Sequence, residues 1–160
     1  MSLTGPGGGT PHFFLKIAEI KGDSKVKNHD GEIDLASWSW GETQSVFPSE
    51  TRKIGGSVSM RDFEFTTVTG AASSQFLLHC ASAKRLKSAI LTCEHDTTRQ
   101  TYLKITFSNV VIGSFDIEGG PETNFPLHRV TLKFTKIEFA FTPADGGNYT
   151  CSWDMSVNSA

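Results

Sequence analysis

Through most of this 160-residue chain, apolar residues recur at every second position, and a period of two commits a chain to β-strands. Phe13, Leu15 and Ile17 alternate with Phe14, Lys16 and Ala18, which reads as a half-buried strand. Ile33–Trp40 reads as a second. Its phases are Ile33, Leu35, Ser37, Ser39 and Ala36, Trp38, Trp40. Both are partly apolar, so protein is expected on both faces at its start. Further strands are expected at Val58–Phe65, Leu86–His95, Tyr102–Ile112, Leu127–Phe141 and Tyr149–Val157. In the Tyr102 strand the inward set is Leu103, Ile105, Phe107 and Val111; in the last it runs Tyr149, Cys151, Trp153, Met155 and Val157.

The alternation slips in two places. Val58 and Met60 give way to Phe63 and Phe65, and Val130, Leu132 and Phe134 to Ile137, Phe139 and Phe141. One extra residue near Arg61–Asp62 produces the first slip, so a β-bulge is expected there. Long strands with such slips fit a compact, mainly β barrel of two curved sheets. One helix is expected beside it, over Ala71–Lys84. Phe76, Leu77, Cys80 and Ala81 would face inward and His79 outward, with Ser73 or Ser74 capping the start. Lys84 and Arg85 suit the helix's negative end.

Met1–Pro11 holds four Gly and two Pro, and is expected to be a flexible leader before a single domain over residues 12–160. It has neither the basic start nor the apolar stretch of a secretory signal. No apolar run approaches the ~18 residues of a membrane span, so membrane insertion is not expected. A net charge of −2 argues against nucleic acid as a partner. Three cysteines, odd in number and spread apart, do not suggest a disulfide framework.

The chemistry-bearing patterns are weak. The chain has no nucleophile elbow, phosphate loop or paired metal-ligating histidines. Ser24 and Lys27 match S-x-x-K by chance in a polar loop. Cys93 and His95 offer two metal ligands where zinc sites use three or four, and Cys93 lies on an apolar phase. His29 with Asp30 reads as a solvated loop, Lys21–Gly31 being polar and turn-rich. Catalytic, cofactor and metal sites are therefore not expected. The rival is a monomeric barrel that binds a small ligand, or a metal-dependent hydrolase built on His and Cys.

The ordered series Phe14-Leu15-Lys16-Ile17, Ile20-Lys21-Gly22-Asp23-Ser24, His29, Glu32-Ile33-Asp34-Leu35, Trp38-Ser39-Trp40-Gly41, Asp62-Phe63-Glu64-Phe65-Thr66, Tyr102-Leu103-Lys104-Ile105-Thr106 and Val130-Thr131-Leu132-Lys133-Phe134 resembles the haemolysin-coregulated protein (Hcp) family. That family forms the tube of the bacterial type VI secretion system. The resemblance spans about residues 13–157. It implies a non-enzymatic barrel that closes into hexameric rings, which stack into a tube. The implied partners are sister copies, a valine-glycine repeat spike protein (VgrG-like), a contractile sheath and small secreted effectors. It implies assembly in the bacterial cytoplasm and export through the machine without a signal peptide. By position it makes Ser39, with Ser37, the lumen contact for effectors. It makes the Thr43–Gly56 link, with Val46, Phe47, Pro48, Arg52 and Lys53, the loop between subunits or stacked rings.

Overall fold

A computed structural model describes residues 12–49, 58–122 and 124–160. The expected leader therefore lies outside the described residues. Strands β1 (His12–Ile17), β2 (Ile33–Asp34), β3 (Ser37–Ser39), β6 (Phe63–Val68), β7 (Leu86–Glu94), β8 (Thr101–Glu118) and β9 (Leu127–Lys133) form one antiparallel path, ordered β2-β1-β7-β8-β9-β6-β3. Strand β10 (Lys136–Phe141) also pairs with β8, and β11 (Tyr149–Asp154) with β10. A separate two-stranded sheet joins β4 (Glu42–Gln44) to β5 (Val58–Met60). Helix α1 (Ser73–Ser82) lies against β8.

The expected barrel is not closed. The two ends of the path, β2 and β3, are consecutive pieces of one stretch. Leu35 N donates to Phe13 O (3.0 Å) and Ala36 N to Thr66 O (2.9 Å), so covalent chain bridges the seam. This explains the two apolar phases of Ile33–Trp40. Ile33 and Leu35 are buried on the β1 side; past Ala36 the inward set becomes Trp38 and Trp40, half-buried against Phe13, Phe63 and Phe134.

The first slip is not a bulge within one ladder. At Arg61–Asp62 the chain leaves the small sheet (β5) and enters the large one (β6). The second slip marks the break between β9 and β10, and only Ile137 of its outer set is buried; Phe139 and Phe141 are exposed. Two slips escaped the sequence reading. Asn109 adopts a left-handed conformation (φ 57°), so the buried residues of β8 change from Ile105 and Phe107 to Val110 and Ile112, leaving Val111 half-buried. The register with β9 then shifts between Ile112 and Ser114. Through these bends one strand serves three ladders, β7 and β10 mainly before Asn109 and β9 after it.

The core is aromatic. Phe107 lies 4.7 Å from both Phe63 and Phe134, ring centre to ring centre, and Phe65 meets Phe76 at 5.8 Å. Leu91, Val130 and Leu132 are fully buried among them.

Helix α1 differs from expectation in phase. Ala72, Phe76 and His79 are buried, whereas Leu77 is 60% exposed and Ala81 also faces out. Cys80 is half-buried beside the core. Burial of His79 turns the helix by one position from the set that hydropathy selects. Ala72 stands at the N-cap; Ser73 Oγ instead accepts from Gly70 N–H (2.9 Å). The helix ends with Ala83 in the left-handed region (φ 53°), where Lys84 N donates to His79 O and Ala83 N to Cys80 O. Glycine carries no Cβ penalty there. Ala83→Gly is expected to stabilise the chain by up to about 1 kcal/mol, read as a higher urea midpoint with an unchanged m-value.

Candidate functional site

Residues directly opposite across an antiparallel ladder share a face. Ser37 stands opposite Thr66, Thr66 opposite Arg129 and Arg129 opposite Asp116. The next row runs Ser39, Glu64, Thr131 and Ser114. Strands β3, β6, β9 and the far half of β8 thus carry one polar face, while Phe65, Val130 and Phe115 point the other way into the core. Ser37 and Ser39 are both exposed on this face, opposite Trp38 and Trp40.

The polar face satisfies its own groups. Ser37 Oγ lies 2.6 Å from Thr66 Oγ1, and Ser114 Oγ 2.7 Å from Thr131 Oγ1. Arg129 Nη1 donates to Glu64 Oε1 (2.8 Å), and Lys133 Nζ to Asp62 (3.2 Å). The hydrogen bond and charge of Glu64, with Glu118 and Asp116 beyond, push the Arg129 guanidinium up. The guanidinium of Arg61 lies across Gly41, where any Cβ would stand 2.0 Å from Nη2. A face of small hydroxyls and paired charges offers hydrogen bonds without an apolar anchor.

A second feature is a groove of about 510 Å³ between the β4–β5 sheet and β10–β11. Trp40, Val58, Met60, Ile137, Phe139 and Trp153 line it. The indole N–H groups of Trp40 and Trp153 are buried without a hydrogen-bond partner. Phe141 and Tyr149, paired across β10 and β11, extend the apolar surface outward.

Of the link residues, Thr43 is in β4, paired with Ser59, so the link begins as strand rather than loop. Val46, Phe47 and Pro48 stand exposed beyond it, Phe47 at 67%. Arg52 and Lys53 lie outside the described residues.

The weak motifs resolve into structure. Ser24 is buried, and its Oγ accepts from Val26 N (3.2 Å) in a local turn. Cys93 is fully buried, and burial pushes its thiol up to about 12, which denies it a thiolate at neutral pH. Among the described residues, no three His, Cys, Asp or Glu side chains gather as metal ligands.

His29 is a further residue that sequence reasoning misplaced. It is buried, stacked on Phe14 with ring centres 4.1 Å apart and planes at 1°. The 21–32 loop is a strap laid over β1 and β7, where His29 covers Phe14 and meets Glu94, both buried. Polar composition hid this. The one available signal was that Phe14 breaks the alternation of its strand and needs a cover.

His128 is 1% exposed, with Nε2 2.7 Å from Ser73 Oγ and Nδ1 unpartnered. Burial holds its imidazole below the ordinary value near 6.5. The unfolded chain therefore binds the proton more readily. Stability from this group is complete above ~6.5 and is lost as pH falls from there through the lower folded value. Urea unfolding at pH 7 and pH 5, about the ordinary value, should show a smaller acid loss in His128→Gln than in the wild type.

The sequence matches the family described as "Type VI secretion system effector, Hcp" over residues 14–141. It is 30% identical over 154 residues to protein hcp1 of Pseudomonas aeruginosa, covering 91% of this chain and 95% of that protein. Its fold matches the crystal structure of Hcp1 from Salmonella typhimurium with a TM-score of 0.81 at 27% identity, covering 93% and 97% of the two chains. It also matches a type VI secretion system effector from Yersinia pestis, with TM-score 0.76, 27% identity and coverage of 89% and 98%.

Proposed function

Since the chain belongs to the Hcp family, and is thereby a secreted tube component of a type VI secretion system, we propose that six copies close into a ring, that rings stack into the inner tube, and that the face bearing Ser37 and Ser39 lines the lumen. The family is structural and secreted, not an enzyme family. Among the described residues no helix is long and apolar enough to cross a membrane.

The observation that carries the lumen assignment is the polar face itself. A channel that passes varied small effectors needs hydrogen-bonding walls without strong apolar adhesion, and Ser37, Ser39, Thr131 and Ser114 supply them. The opposite demand falls on the groove beside Phe139 and Trp153. Its apolar walls lie next to β11, a sheet edge, and association of copies is one way a chain covers such an edge. A neighbouring copy in the ring is its occupant in this reading. Val46, Phe47 and Pro48, with Arg52 and Lys53 further along, make the contact between subunits or stacked rings. The tube carries a spike protein at its tip, lies within a contractile sheath, assembles in the bacterial cytoplasm and leaves through the machine.

Light scattering should give six times the 17.4 kDa chain mass, and negative-stain images should show annular particles. A strict monomer at every concentration and salt overturns the proposal. Ser39→Gln is expected to leave the ring intact and reduce co-purification of cognate effectors about tenfold, the equivalent of ~1.4 kcal/mol. Unchanged effector recovery would remove Ser39 from the contact surface.

A further inference from the structure

The strap over residues 21–32 is tied at two points. Asp23 Oδ2 accepts from Ala71 N–H beside the start of α1 (2.8 Å), and His29 reaches Glu94 at the end of β7. Backbone bonds close the strap on itself, with Gly22 N donating to Gly31 O (2.8 Å) and Ser24 N to Glu32 O (3.0 Å).

The second tie is unusual in its proton count. His29 Nδ1 lies 3.1 Å from Glu32 Oε1, and His29 Nε2 hydrogen-bonds Glu94 Oε1. All three side chains are largely withdrawn from water. A neutral imidazole has one N–H donor and one lone-pair acceptor, whereas an ionised carboxylate only accepts. A neutral ring between two carboxylates therefore sets a lone pair against an oxygen where little water can intervene, and such mismatches are costly. One further proton on the trio removes the conflict, because imidazolium donates from both nitrogens.

Asp34 of β2 adds a third carboxyl near the ring; burial, then Asp23, push it up, while His12 and His29 pull it down. From β1, His12 lies beyond Phe14 and is engaged by Asp96 (3.1 Å), and Lys16 stands further along the same face, exposed. The groups facing His29 are thus mostly acidic.

We propose that residues 21–32 form a proton-operated strap: His29, Glu32 and Glu94 hold one shared proton that latches the loop to β7, and loss of that proton on alkalinisation frees the loop and uncovers Phe14. The device concerns the subunit itself and does not depend on the ring.

Hydrogen exchange of the full-length protein, corrected for intrinsic rates, tests it at pH about 6 and about 9. Protection of peptides covering the strap should fall at least tenfold relative to α1 and β8 across that range. Glu94→Gln is the diagnostic variant. Its amide can donate to Nε2 while Nδ1–H serves Glu32, so a neutral ring keeps both bonds and the strap should stay protected at the higher pH. His29→Gln should remove the pH dependence. Wild-type protection that keeps pace with α1 and β8 overturns the proposal, as does a Glu94→Gln strap that still opens. The wild-type measurement decides the matter even if a variant fails to fold.

Discussion

Phe107→Ala is expected to cost about 3–5 kcal/mol, the usual range for truncating a buried Phe. Domains of this kind hold only ~5–15 kcal/mol in all. The site has little room to relax. Phe107 is fully buried in the middle of β8, opposite Ala89 of β7 and Ile137 of β10, with the Phe63 and Phe134 rings both at 4.7 Å. Truncation leaves a cavity between those two rings, and the paired backbones on both sides keep it from collapsing. Urea unfolding at one fixed protein concentration should show a lower midpoint with an unchanged m-value. Phe141→Ala, on an exposed side chain of the neighbouring strand, should cost no more than about 1 kcal/mol. Equal losses at the two positions would mean that the aromatic cluster is not the centre of the core.

Gly22→Ala is expected to cost about 2–3 kcal/mol, the range of overpacking, or ~4–12 °C in melting temperature for a chain of this size. A Cβ at Gly22 would lie 2.3 Å from Glu32 O and 2.8 Å from Ile33 Cα. Both are backbone atoms, and the second belongs to β2, so neither can swing aside. The strap must lift, and with it go the bonds from Asp23 to Ala71 and from His29 to Glu94. Gly31→Ala forms the control. It has no neighbour within 4 Å of the added carbon, so only the strain of its positive φ (77°) applies. A melting curve for Gly22→Ala that matches the wild type would refute the close packing of the strap on β2.

Period two located most of the large sheet's strands, and spacings of three and four located helix α1, because those segments are amphipathic in the ordinary sense. Reading stopped where one residue serves two neighbours. Arg61 and Asp62 carry a change of sheet that periodicity cannot distinguish from an inserted residue. Asn109 interrupts the apolar phase of β8, but Val111 resumes that phase, so the shift of the inward set to Val110 and Ile112 leaves no clear mark in the sequence. His79 displaced Leu77 from the inward face of α1 because a buried histidine outweighed a hydropathy rule. Ser37 and Ser39 were legible as partners of the tryptophans, since alternation fixes opposite faces. Their companions Glu64, Thr66, Arg129 and Thr131 were not, because strand order and register are tertiary facts. His29 was lost for the same reason: nothing within residues 21–32 announces that Glu94, 65 positions away, will meet its ring.

The long strand β8 has a mechanical consequence. Its 18 residues span at most about 60 Å of extended backbone, and it is the one strand of the large sheet paired with β7, β10 and β9 alike. A thrust delivered to β10 and β11 can reach β9 and β6 along unbroken covalent chain, with Asn109 as the elbow. In a projectile assembled from such subunits, stiffness would then depend on how little that elbow flexes. Force spectroscopy that pulls across Asn109 would measure the compliance of the whole shaft in miniature.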